Sequence, residues 1–346
     1  MNEIFSAGKR CLSVWVVGAM AWQRMLKRIA FTLVLGIMAG SAAAGTFTFP
    51  NNAGQTALNF GSSALSVPRD KVVGTTMLAT SSNPGLAWSG ISCTITKTIT
   101  INGTLVPGYA NVYQTGVGGL GIIFYHTQNV SGGFITNNDP ETLTGLSNGS
   151  TNHYVQAAFY VTGPVQNGQL LTANLPTMNI AYSGSCITTV SATFTWSANI
   201  PVTALTCTVT TPTVSVPLPS VPLTSLLPVG TVSSLSTGNT ATIGLSCASG
   251  SNVYVTLTDA NNAGNRSTTL SLNPSSTAHG VALRLFNGST PVSFGPDSAV
   301  AGTQNQWLVG ASSGVSSIPL TVQYLSTGPV TAGSVSAAAT FTMSYQ

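Results

Sequence analysis

The stretch GSVSAAATFTMSYQ, residues 333–346, lies at the end of the sequence and decides how its C-terminal half folds. Its larger apolar residues alternate with small ones, and a β-strand places alternate side chains on one face. The six residues of that face are Val335, Ala337, Ala339, Phe341, Met343 and Tyr345. We therefore predict a β-strand with one apolar face. In an ordinary sandwich, such a strand would simply fill the core.

The sequence after residue 45 repeats this pattern in shorter pieces. Alternating runs rich in Thr, Val and Ile are separated by clusters of Gly, Asn, Ser and Pro, and none shows sustained helical spacing. Examples are residues 94–101, 154–161, 190–196 and 253–257. The pattern predicts an all-β protein made of sandwiches, and we expect two domains because the chain has 346 residues.

Charge is scarce and unevenly distributed, with charged residues making up only 5% of the chain. Five basic residues precede residue 45, whereas the remaining chain has five basic and five acidic residues. Nucleic-acid binding requires a basic face that neutralises phosphates, so we exclude it as a function of the main chain.

The N-terminal segment has the features of a secretory signal peptide. Lys27 and Arg28 precede the apolar run 29–38, and Ala42-Ala43-Ala44 supplies a cleavage site after Ala44. The run is shorter than the roughly 20 residues of a membrane span. We predict a signal peptide over residues 1–44, either extended or with the true translation start at Met25.

Four cysteines follow the predicted leader, and an even number in an exported protein indicates disulfides. Three pairings are possible. Because the gap between Cys186 and Cys207 is short and loop-like, we pair within domains, as Cys93–Cys186 and Cys207–Cys247. Closely spaced Cys and His pairs, which a zinc site requires, are absent from the sequence, so we predict no metal and no cofactor.

The domain boundary is predicted near residues 200–206. The run 192–196 is expected to end one domain and residues 207–209 to begin the next, with a linker over 201–206. The Pro-rich stretch 212–228 carries regularly placed apolar residues, and we predict a bent edge strand, where Pro is tolerated.

Residues 207–346 resemble the pilin domain of chaperone–usher fimbriae. The resemblance is carried by Cys207 and Cys247, whose residue numbers differ by 40, by the segments 279–288, 291–295 and 320–324, by Gly333 fourteen places from the end, and by the penultimate Tyr345. Residues 113–122 more weakly resemble a segment of fimbrial tip lectins. As a whole, the chain is similar to type 1, type 3 and F17-type two-domain adhesins.

The resemblance implies an incomplete immunoglobulin-like sandwich that lacks its last strand. A periplasmic pilus chaperone would lend a strand, an outer-membrane usher would export the subunit, and the next fimbrial subunit would then supply its own strand. The residues implied in these contacts are Gly333, Val335, Ala337, Ala339, Phe341, Met343, Tyr345 and Gln346. The sequence after residue 45 shows no donor strand of its own before Cys207, which predicts a place at the fimbrium tip.

Residues 45–200 are then expected to form a receptor-binding domain. Sugar sites combine an aromatic ring with a few polar groups, and we select residues of these types. The candidates are Trp88, Tyr113, Tyr125, Asn137, Asn138, Asp139 and Tyr154. For each aromatic residue, a place in the core is the competing interpretation; we favour it for Trp196, whereas Trp88 is expected in an exposed loop.

Residues 45–200 contain few side chains that are suited to catalysis. Asp139 and Glu141 could act as paired carboxylates, but we interpret them as a solvated turn. His126 and His153 would need a third ligand to hold a metal. No Lys-Ser/Thr follows the glycines of residues 116–121, so a phosphate-binding loop is rejected.

We therefore predict a fimbrial tip adhesin, not an enzyme, that binds host-surface carbohydrate or matrix protein. The alternatives are a non-lectin adaptor or minor structural subunit, and a secreted glycan hydrolase.

Overall fold

The structure is a computed structural model that describes residues 45–49, 55–128, 131–134, 139–234 and 239–346. The predicted signal peptide, residues 1–44, lies outside the described residues. The described part of the chain is almost entirely β-structure, which confirms the predicted fold class. Within these ranges, no helix has the length and apolarity that crossing a membrane requires.

The N-terminal half, residues 45–205, is built from three sheets. Its strands are β1 (Thr46–Thr48), β2 (Gln55–Leu58), β3 (Leu65–Pro68), β4 (Thr76–Ser82), β5 (Gly85–Ser89), β6 (Ile95–Asn102), β7 (Tyr113–Gln114), β8 (Leu120–Gln128), β9 (Ser131–Phe134), β10 (Asp139–Leu143), β11 (Gly149–Val161), β12 (Gly168–Leu170), β13 (Thr177–Ser183), β14 (Val190–Trp196) and β15 (Ile200–Leu205). One sheet has the order β1-β5-β11-β8-β7, with β4 beside β11 and β9 beside β8. The others have the orders β10-β6-β13-β14-β2 and β12-β15-β3.

The C-terminal half, residues 207–346, has two sheets. Its elements are β16 (Cys207–Val209), a 3-10 helix (Leu223–Leu226), β17 (Thr240–Cys247), β18 (Asn252–Asp259), β19 (His279–Asn287), β20 (Thr290–Pro291), β21 (Trp307–Ala311), β22 (Gly314–Thr331) and β23 (Ala339–Tyr345). One sheet has the order β16-β17-β22-β19-β20, and the other has the order β21-β18-β23.

Each half has its own apolar core, because alternate residues of its strands point inward. In the N-terminal half, Phe60 stacks between Phe159 at 4.2 Å and Trp196 at 5.1 Å, measured between ring centroids. Trp196 is buried, as predicted, and its indole N–H donates to the Pro176 carbonyl at 2.8 Å. These contacts give each half the interior that a sandwich requires.

Both predicted disulfides are present. Cys93 and Cys186 are joined with Cα atoms 5.7 Å apart, and Cys207 and Cys247 with Cα atoms 4.0 Å apart. Cys207 and Cys247 face each other across β16 and β17, so this disulfide links the first strand of the C-terminal half to its neighbour. The pairing within halves is therefore confirmed.

The connection between the halves is short. Residues 201–205, which we predicted as part of a linker, belong to β15, which pairs with β12 and runs parallel to β3. Thr206 is the one residue between β15 and β16. The chain thus passes from a paired strand of one half directly into a paired strand of the other.

The prediction of an edge strand over residues 212–228 is wrong. This segment contains no strand, and its regular structure is the 3-10 helix Leu223–Leu226. Proline lacks the N–H that a β-ladder requires, and the segment has five prolines. Its apolar side chains still alternate inward, and Val214, Val216, Leu218 and Val221 are half-buried against the C-terminal core.

Candidate functional site

An open edge runs along β23 in the C-terminal half. The residues with even numbers from 334 to 346 make backbone hydrogen bonds to one side, as in Asn273 N–H to Ser336 O at 2.7 Å and Gln346 N–H to Asn252 O at 2.9 Å. Because N–H and C=O groups alternate in direction along a strand, the residues with odd numbers present theirs to the other side. Among the described strands, β23 pairs with β18 alone, so this second side is an edge.

An apolar groove lies beside this edge. A cavity of about 350 Å³ is lined by side chains from both sheets, including Ile243, Leu257 and Leu285. Phe341 and Ala339 of β23 line this cavity, as do Val214 and Val216 of the Pro-rich segment. The groove therefore has an apolar floor with a strand edge along one wall.

A second cavity of about 620 Å³ continues the groove past Leu218 toward Val335. Gly333 marks this end, where an added Cβ would lie 2.4 Å from the Ala278 backbone nitrogen. Glycine is required there because the two backbones approach so closely. The predicted tail residues are thus brought together along one face: Val335, Ala337, Ala339 and Phe341 are half-buried, and Met343 and Tyr345 are buried.

Two predicted ligand-binding residues meet on the outer face of the N-terminal half. Tyr125 on β8 and Tyr154 on β11 are half-buried, and their rings meet edge-to-face at 6.4 Å. Their neighbours His126, His153 and Val155 point inward, so both tyrosines point away from the core. Asn152 and Gln156 flank Tyr154 on the same face of β11. Aromatic rings beside amide groups can stack on sugar C–H groups and bind hydroxyls.

The other candidate residues lie elsewhere. Trp88 is not in an exposed loop but on β5, half-buried and stacked on Phe47 at 5.7 Å, with its indole N–H bonded to the Ser147 carbonyl at 2.7 Å. Tyr113 lies in the core, 1% exposed, because β7 directs it inward against Phe124. Asn137 and Asn138 lie outside the described residues, and the side chain of Asp139 is also outside them.

A buried polar chain crosses the core of the N-terminal half. His126 Nε2 is 2.8 Å from His153 Nδ1, and His153 Nε2 is 2.7 Å from the hydroxyl of Tyr182 on the opposite sheet. Burial is the main cause that lowers the pKa of His126 to about 4 and that of His153 to about 3. Both rings are therefore neutral at physiological pH, and one proton in each contact suffices for a hydrogen bond.

Glu141 does not lie in a solvated turn. Glu141 lies on β10 and forms an ion pair with Lys97, its cross-strand partner on β6. Lys97 is 5% exposed and points into the sandwich, where Tyr182 is its other cross-strand neighbour. Glu141 thus neutralises a buried ammonium group, and the predicted turn over residues 136–141 is replaced by a paired strand from Asp139 onward.

Within the described ranges, no cluster of three or more His, Cys, Asp or Glu residues is placed to hold a metal ion. His126 and His153 do meet, as a metal site would require, but the structure gives them Tyr182 as a hydrogen-bonding neighbour in place of a third ligand. The histidine chain thus links the two sheets by hydrogen bonds.

Comparison with known proteins finds similarity to fimbrial proteins. Residues 194–346 match the family described as "Fimbrial protein". The F17c-G fimbrial adhesin of Escherichia coli is 45% identical over 111 residues, which are 31% of this chain and 32% of that protein. This chain thus matches about a third of the length of its curated relative. The predicted resemblance to fimbrial adhesins is confirmed.

Two solved structures are similar over larger parts of the chain. The CupB6 tip adhesin of Pseudomonas aeruginosa covers 87% of this chain and 94% of its own, with 18% identity and a TM-score of 0.37. The receptor-binding domain of the MrkD1P adhesin of Klebsiella pneumoniae covers 47% of this chain and 98% of its own, with 15% identity and a TM-score of 0.32.

Proposed function

We propose that this chain is a fimbrial tip adhesin whose C-terminal half accepts a β-strand from another subunit and whose N-terminal half binds a host glycan or glycoprotein. The observation that carries the proposal is the apolar groove of about 350 Å³ beside the open edge of β23. The match of residues 194–346 to fimbrial proteins supports it. The proposal assigns a binding role and no catalysis.

The groove fits an extended peptide better than a compact ligand. A strand added to β23 would satisfy edge N–H and C=O groups, and its alternate side chains would point to the groove floor. A groove lined by partly buried apolar side chains beside a strand edge also favours aggregation, so the chain needs a partner from the start. A periplasmic chaperone before assembly and the next subunit after it would fill the groove in turn, during export through an usher to the cell surface.

The first test supplies the strand within the same chain. Residues 45–346 are extended by a flexible linker and a synthetic 15-residue strand that alternates Val and Thr. We expect a monomer that resists protease, whereas the unextended chain aggregates. A control carries the same residues with the Val clustered instead of alternating, and it should aggregate as well. An unextended chain that is monomeric and equally resistant contradicts the proposed strand acceptance.

The second test addresses the ligand on the self-complemented chain. Glycan and matrix-protein arrays would identify a ligand, and the variants Tyr125→Ala and Tyr154→Ala should weaken its binding by about tenfold or more, since each removes an aromatic stacking surface. Tyr254→Ala, in the C-terminal half, is the matched control and should bind like the wild type. Absence of any ligand favours a non-lectin adaptor, and cleavage of a bound glycan favours a hydrolase.

A further inference from the structure

The open edge of β23 is closed at one position by the N-terminal half. Tyr345 directs its backbone groups to the open side, because the adjacent Gln346 bonds to Asn252 on the β18 side. There the Tyr345 N–H donates to Asp70 Oδ2 at 2.9 Å, and the Asp70 N–H donates to the Tyr345 carbonyl at 2.8 Å. Asp70 thus takes both edge hydrogen bonds of Tyr345.

Asp70 belongs to a corner that is fixed on several sides. Arg69 bonds to both carboxylate oxygens of Asp70, at 2.9 and 2.8 Å, and its guanidinium lies 4.9 Å from the centre of the Tyr345 ring. The backbone of Arg69 is bonded to Leu205 at 3.1 Å and to Val165 at 2.7 Å, both in the N-terminal half. Asp70 and Tyr345 are both buried. We define the Arg69–Asp70 corner as these two residues.

A groove with repeating apolar positions leaves the register of an added strand ambiguous. A slip by one residue turns every side chain to the wrong face, so alternation excludes it. A slip by two residues keeps the apolar side chains of the added strand on the groove side. It only moves each of them to the next position along the groove. Since Ala337 and Ala339 are identical and adjacent on the groove face, side-chain fit discriminates weakly between such registers.

We propose that the Arg69–Asp70 corner is an end stop for the added strand. The corner occupies the edge position beside Tyr345, so pairing along β23 ends at Met343, and slips toward residue 345 are blocked. The inferred partner is an extended segment of alternating apolar residues that pairs with the edge groups of residues 335–343. This inference rests on the proposed strand-accepting function.

Residue-resolved hydrogen exchange tests the end stop on residues 45–346, kept below the concentration at which the unextended chain aggregates, with a synthetic 15-residue peptide of alternating Val and Thr. Before peptide is added, the Tyr345 amide should exchange at least tenfold more slowly than the Met343 amide, because only the former is bonded. Added peptide should slow exchange at Met343, while the peptide residues that extend past it continue to exchange quickly. Asp70→Ala should remove the early protection of Tyr345, whereas Asp70→Asn, which keeps an acceptor oxygen, should retain most of it.

The outcomes separate the two proposals. If Tyr345 exchanges as fast as Met343 before peptide is added, or if peptide pairing continues past Met343 in the wild type, the end stop is wrong although strand acceptance stands. If no peptide slows exchange at Met343, strand acceptance fails and the end stop fails with it. The wild-type measurement alone decides both points, even where a variant does not fold.

Discussion

The two halves of this chain are both β-structures with one disulfide each, yet they treat polar and apolar groups in opposite ways. The N-terminal half buries a chain of His126, His153 and Tyr182 and presents Tyr125 and Tyr154 on its outer face. The C-terminal half leaves an apolar groove open beside β23. The state of the edges and faces, and not the fold class, distinguishes the half that we propose to bind a ligand from the half that we propose to accept a strand.

The largest expected effect comes from removing the segment that borders the groove. Deletion of residues 333–346 removes β23 and leaves β18 without a neighbour on that side, so no folded C-terminal half should accumulate. Surface display measured with an antibody to residues 45–205 should fall to background. Thr340→Ala, on the exposed face of β23, is the control and should be displayed normally. Normal display of the truncated chain would contradict the inference that the C-terminal half depends on β23 to fold.

Disulfide removal should affect each half separately. In the self-complemented chain, Cys207→Ala with Cys247→Ala should lower the free energy of unfolding of the C-terminal half by about 4 kcal/mol, because the closed loop is about 40 residues long. Cys93→Ala with Cys186→Ala should cost the N-terminal half about as much. Denaturant unfolding with probes in both halves measures this. Simultaneous loss of both halves from either double variant would show that they unfold as one unit.

Acid should selectively destabilise the N-terminal half. The pKa values of His126 and His153 are lowered in the folded state, so below pH 6.5 the unfolded chain binds more protons. The stabilisation is complete above pH 6.5 and is lost progressively down to about pH 4, where the folded state itself takes up a proton. Lys97 faces the pair and opposes protonation, whereas Glu141 favours it.

We expect a loss of about 3 kcal/mol between pH 7 and pH 5, from urea midpoints of the N-terminal half. His126→Gln should reduce this pH dependence by about half, since one titrating group is gone. A midpoint that is equal at both pH values would contradict the buried neutral pair.

The smallest effect is expected at β10, an edge strand of the N-terminal half. Glu141→Gln removes the partner of the buried Lys97, but Glu141 is half exposed, so water screens the pair. We expect a loss of about 1 kcal/mol in urea unfolding. Gln156→Glu, which adds a charge on the outer face, is the control and should change stability little. A loss above about 3 kcal/mol would show instead that Glu141 and Lys97 behave as a buried ion pair.

Local patterns predicted much of this molecule. The alternation in residues 333–346 predicted β23 and its inward face, although the strand begins only at Ala339. The short gap between Cys186 and Cys207 predicted both disulfides. These features depend on neighbours in sequence. The apolar spacing in residues 212–228 predicted the inward face of the segment but not its lack of strand pairing, because apolar alternation does not require a ladder.

Contacts between distant strands were harder to predict. The meeting of His126 with His153 depends on the register of β8 against β11, and that of His153 with Tyr182 depends on which sheets face each other. Tyr113 was selected as a candidate sugar-binding residue, although β7 turns it into the core. The role of Asp70 gave one signal that was missed: in a chain so poor in charges, an adjacent Arg and Asp indicate a specific contact.

The passage from β15 through Thr206 to β16 has a mechanical consequence. In the proposed function, tension between a surface bound by the N-terminal half and a fibre attached to the C-terminal half would enter the latter at Cys207. The covalent bond to Cys247 then transfers the load at once to β17, which lies against the 18-residue strand β22, so the three-residue ladder of β16 is bypassed. The strand β16, through which the force enters the C-terminal half, is therefore held by a covalent bond as well as by hydrogen bonds.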